Sequence, residues 1–70
     1  MKLKLNSAYQ SGPITIIPRS HFGNRKGEKF AIVQKIELNE TRYISQHTTF
    51  TAQDFRKFFG LPKNEGVEIL

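Results

Sequence analysis

Residues 29–61 read KFAIVQKIELNETRYISQHTTFTAQDFRKFFGL, and this stretch decides the fold. From Lys29 to Leu38 polar and apolar positions alternate. Phe30, Ile32, Ile36 and Leu38 share one face, interrupted by Gln34, while Ala31, Val33, Lys35 and Glu37 share the other. A period of two is that of a β-strand, whose successive side chains point to opposite faces. The first half is apolar on both faces, which places this strand in the middle of a sheet. Asn39-Glu40-Thr41 is a tight connection, and Arg42 to Phe50 returns as the partner strand. The expectation is a hairpin of 30–38 with 42–50.

The hairpin runs into a helix marked at both ends. Thr51 stands as its cap with Asp54 three positions on, a capping box with Asp in place of Glu or Gln. Phe50 before the cap and Phe55 at the fourth helical position have the spacing of a hydrophobic staple. Ala52, Phe55, Phe58 and Phe59 fall on one face. Gly60 supplies the left-handed stop, Leu61 the apolar residue that often follows it, and Pro62 prevents resumption. The predicted helix is 52–59, with Arg56 and Lys57 turned to solvent.

Signals elsewhere are shorter. Lys2 to Leu5 reads as a short edge strand with Leu3 and Leu5 inward. Asn6 to Pro13 reads as a turn-rich connection, and Ile14-Thr15-Ile16-Ile17 as a second strand that Pro18 closes. Arg19 to Glu28 follows as a polar loop, and Gly66 to Leu70 adds a last short strand with Val67 and Ile69 inward. The sum is a single α+β domain over 1–70, β-rich, with three to five mostly antiparallel strands and one helix on or beside the sheet. The candidate core is Leu3, Leu5, Ile14, Ile16, Phe30, Ile32, Ile36, Ile44, Phe55, Phe59 and Leu61.

Seventy residues make one domain with a thin core. Without cysteine no disulfide reinforces it, which fits a reducing cytosol. Met1-Lys2-Leu3-Lys4-Leu5 lacks a secretory leader's apolar stretch, and no run approaches the roughly 20 apolar residues of a membrane span. These features lead to the expectation of a cytoplasmic protein, in the host cytoplasm if virus-encoded.

The net charge of +5 is unevenly placed. Residues 1–35 carry seven basic side chains against Glu28 alone, and residues 36–70 carry four against five acidic ones. A basic half of this kind suits a polyanion or an acidic protein surface.

Catalytic chemistry has little to work with. There is no cysteine nucleophile and no glycine-rich phosphate loop, and His21 and His47 are the only histidines. A triad of Glu37, Ser45 and His47 is within what a β protein places on a solvated face by chance. A zinc site would need two further ligands from carboxylates alone, without supporting spacing. The reading is therefore of a binding protein with no enzyme activity, cofactor or metal.

Arg19, Arg25, Lys26 and Lys29 fall within eleven residues and are the candidate phosphate contacts. Phe22 among them is the candidate stacking residue if it points outward, whereas a thin core argues for its folding back as a cap. The leading expectation is DNA or RNA binding through this basic loop. The rival is a small protein-docking inhibitor or adaptor, virus-encoded or dimeric, using Phe58 and Leu61 if these remain exposed.

Overall fold

The computed structural model describes residues 1–22 and 29–70. Seven elements follow in order: β1 (Lys2–Leu3), β2 (Tyr9–Ser11), β3 (Ile14–Phe22), β4 (Lys29–Glu37), β5 (Tyr43–Thr51), α1 (Ala52–Phe59) and β6 (Glu68–Ile69). Strands β2-β3-β4-β5 form an antiparallel sheet in that order, and β1 and β6 form a separate parallel pair. The fold is a small α+β domain with a central hairpin. Among the described residues, no helix is long and apolar enough to cross a membrane.

The β4–β5 hairpin runs without a break from Lys29 opposite Thr51 to Glu37 opposite Tyr43. The Leu38 N–H donates to the Arg42 carbonyl at 2.9 Å and closes its turn. As the two-sided apolar run of β4 implies, that strand is central, flanked by β3 and β5.

Helix α1 has the expected ends. Thr51 Oγ1 accepts from the Asp54 N–H at 3.2 Å, and the Asp54 carboxylate accepts from the Thr51 N–H at 2.9 Å. At the other end Gly60 takes φ 68, Leu61 N–H donates to Arg56 at 2.8 Å and Gly60 N–H to Lys57 at 3.3 Å, satisfying two end carbonyls. Phe55 sits with its ring 5.1 Å from Phe50 and 4.9 Å from Phe30. With Leu3, Ile16, Phe30 and Ile32 it makes the buried core, and Phe59 adds an edge contact to Tyr9 at 5.8 Å.

Several expectations need correction. The 6–13 connection contains β2, joined to β3 by a two-residue turn, Gly12-Pro13, between the paired Ser11 and Ile14. Gly12 takes φ 59 while proline fixes a negative φ after it, the pattern of a II′ hairpin turn. Pro18 does not end its strand; β3 continues to Phe22 through a bulge between Pro18 and Ser20.

The reason lies in the ladder. Glu37 N–H donates to Pro13 at 2.8 Å, so the bonded β3–β4 pairs are the odd-numbered ones up to Ile17 with Val33. Pro18 opposite Ile32 is then a non-bonded pair, its missing N–H directed away from β4, where β2 has already ended. Its carbonyl accepts from Asn6 N–H at 2.7 Å, so proline removes no ladder bond here.

Ile44 is on the face expected of it but is 47% exposed. An eight-residue helix extends about 12 Å, whereas a nine-residue strand extends about 30 Å, so α1 covers one half of the sheet. Leu38 is likewise exposed, Leu5 lies beyond the end of β1, and Leu5 and Leu61 are only half-buried. Arg56 does not turn to solvent: its Nη1 donates to the Glu65 carbonyl at 2.9 Å and ties the C-terminal segment to the helix.

Candidate nucleic-acid interface

Strand alternation gives the sheet two unlike faces. Phe30, Ile32, Ile16 and Phe50 look toward α1. The register puts the opposite parity in rows across the other face: Phe22–Lys29–Thr51, Ser20–Ala31–Thr49, Ile17–Val33–His47 and Thr15–Lys35–Ser45, with Glu37 and Tyr43 at the hairpin end. None of these side chains is fully buried. The centre of this face is small or apolar, its margins are hydroxyls, and its two ends carry aromatic rings.

Phe22 points outward, 47% exposed, which corrects the expectation that it folds back onto the core. It stands directly opposite Lys29, so an exposed ring and an ammonium group are cross-strand neighbours. At the far end Tyr43 is 61% exposed, with Lys35 Nζ 5.3 Å from its ring centroid. That contact is a cation–π pair that places a second cation beside a second ring.

Glu37 is the one carboxylate in β2–β5, at the hairpin tip, whereas Arg19, Lys29 and Lys35 belong to the same strands. Among the described residues of these strands, a phosphate chain laid along this face meets no carboxylate before that tip.

Of the sequence-predicted phosphate residues, Lys29 is brought to Phe22 by pairing. Arg19 is the extra residue at the bulge, exposed, its Nη1 donating to Asn6 Oδ1 at 2.9 Å. Arg25 and Lys26 lie outside the described residues. Lys35 is expected to join the phosphate contacts only if the sheet brings it to the same side, as it does, whereas Tyr43 and His47 are not among the contacts expected from the sequence. The signal for Tyr43 and His47 was the odd-numbered parity of β5, opposite to Ile44 and Phe50, which becomes informative once the helix is known to cover the even side.

Phe58 and Leu61, the protein-contact residues of the rival reading, are neither buried nor exposed. The Phe58 ring packs 4.9 Å from Phe59 and 6.3 Å from Phe50. A second basic cluster sits beside them, where Gln53, Arg56, Lys57, Leu61 and Lys63 line a shallow hollow of about 320 Å³.

Glu37, Ser45 and His47 share the open face but oppose Tyr43, Lys35 and Val33 respectively. Same-face neighbours along a strand lie about 6.6 Å apart, so Ser45 and His47 are not placed as hydrogen-bonded catalytic partners. Among the described residues no three His, Asp or Glu side chains gather as a metal site. Comparisons of the chain with protein-family models, with curated proteins and with solved structures returned no match.

Proposed function

We infer that this protein is a small nucleic-acid-binding module that holds a single strand against the open face of its sheet. The observation that carries the reading is Phe22, exposed and paired with Lys29, at the mouth of a face with one carboxylate in four strands. Bases stack on exposed rings only when they are out of a duplex, which favours single strands over double ones. The span from Lys29 to Glu37 is about 26 Å at strand rise. It separates Phe22 at one end from Tyr43 at the other, within the roughly 4–16 nucleotides that comparable sheet-based modules engage.

In this reading Phe22 and Tyr43 stack on bases, while Lys29, Lys35 and Arg19 hold phosphates. Arg25 and Lys26, which follow Phe22 in the sequence and lie outside the described residues, add two further positive charges. The protein binds rather than catalyses, and it needs no cofactor.

Fluorescence anisotropy of labelled single-stranded and duplex DNA and RNA, at low and moderate salt, tests this. Wild type is expected to prefer a single strand and to weaken steeply with salt, because each phosphate contact releases counterions. Phe22→Ala removes a stacking contact worth about 1–3 kcal/mol and should weaken binding about tenfold with the fold intact. Lys29→Glu and the double variant Arg25→Glu/Lys26→Glu should weaken it further and flatten the salt dependence. Equal affinity in all these variants would place the site elsewhere.

A further inference from the structure

The sheet has two edges, and they are treated differently. On the β2 side the edge strand is only three residues long, and beyond it the β3 edge carries the Arg19 bulge and the Asn6-to-Pro18 hydrogen bond. Short strands and bulges are how proteins keep a sheet edge from pairing with another chain. The β5 edge has none of these devices. β5 is nine residues, YISQHTTFT, without a charged residue, proline or glycine, and its register with β4 is unbroken.

Its unspent hydrogen-bonding groups can be assigned. Leu38 N–H bonds to the Arg42 carbonyl, so the bonded β4–β5 pairs are the even-numbered ones, Ile36 with Ile44 through Phe30 with Phe50. The N–H and C=O groups of Tyr43, Ser45, His47 and Thr49 therefore point away from the sheet. Thr51 would be next, but its N–H is taken by the Asp54 carboxylate at 2.9 Å, so the capping box closes the edge there. The open segment is 43–49, and it contains two exposed large apolar side chains, Tyr43 and Ile44.

We propose that a second copy of this chain pairs with this edge, β5 against β5 antiparallel about a twofold axis, to make a continuous eight-stranded sheet. One register uses every outward group: Tyr43 with Thr49 of the other copy, Ser45 with His47, and the reciprocal pairs. Gln46 then faces its own counterpart as a non-bonded pair on the axis. An isologous contact of this kind closes after two copies and cannot propagate. Ile44 is set opposite Thr48 of the other copy, which removes its apolar surface from water. No charged side chain within 43–49 opposes the pairing. This proposal rests on the β5 edge alone and is independent of nucleic-acid binding.

The axis residue provides the test. Non-bonded antiparallel pairs hold their Cα atoms about 4.5 Å apart, within disulfide reach, and the chain has no cysteine of its own. Gln46→Cys is exposed and should cross-link into a covalent dimer on mild oxidation, while Thr49→Cys and Lys57→Cys, which do not face themselves, should not. Light scattering of wild type at high micromolar concentration should give twice the 8.1 kDa chain mass. Gln46→Lys, which sets like charges opposite each other, should return it to a monomer with an unchanged circular dichroism spectrum. A wild type that stays monomeric would overturn the proposal. So would a dimer in which Gln46→Cys cross-links no faster than Lys57→Cys, because the copies would then meet elsewhere. Nucleic-acid affinity plays no part in either readout, so the two proposals fail separately.

Discussion

Phe55 is the residue on which the core turns. It is fully buried, and its ring meets Phe30 and Phe50 edge-on from the first turn of the helix. Truncating a buried Phe to Ala typically costs about 3–5 kcal/mol, and a core in a chain this short supplies about the same in total. Phe55→Ala is therefore expected to be largely unfolded at room temperature, read as loss of a cooperative urea transition by circular dichroism. Phe22→Ala, on the open face, should leave that transition where it is. The sequence distinguishes these two phenylalanines only partly. Phe55 is identified by its staple spacing, which is local, whereas the orientation of Phe22 depends on β3 continuing past Pro18. That continuation is set by which way a missing N–H points, and no residue near Pro18 records it. Ile44 shows the same limit: its parity is legible, but its cover is not.

At the level of elements, the helix was readable because its caps, staple and stop are all contained in the twelve residues from Phe50 to Leu61. Thr51→Ala removes the acceptor for the Asp54 N–H and should cost about 1 kcal/mol, measured as a lower denaturant midpoint with unchanged slope. The β4–β5 hairpin was readable for a similar reason, since its two-sided apolar run and short turn are adjacent in sequence. Strand β2 was not: Tyr9-Gln10-Ser11 has no alternation to find, and it becomes a strand because the Gly12-Pro13 turn folds it onto β3. The parallel β1–β6 pair joins Lys2 to Glu68 and Leu3 to Ile69, contacts between opposite ends of the chain that no local pattern announces.

For the whole molecule, the decisive feature is that one short helix serves a long hairpin. The covered half holds the core, and the rest of the sheet stays open. The open face, with its rings at either end and one carboxylate at the tip, is where a single strand is proposed to lie. Of this site the sequence held the cationic residues and Phe22, because charge and aromaticity are composition. It did not show that Lys35, Tyr43 and His47 share the face, because that follows from the four-strand register. The second basic cluster, Arg56, Lys57 and Lys63, offers the competing location on the same molecule. The measurement that separates them most directly is a residue-resolved amide NMR titration with a short single-stranded oligonucleotide at low salt. A strand lying on the open face should give shifts centred on Phe22, Lys29, Lys35 and Tyr43 that reverse as salt is added. Shifts gathered around Arg56, Lys57 and Lys63 instead, or none at all, would contradict it.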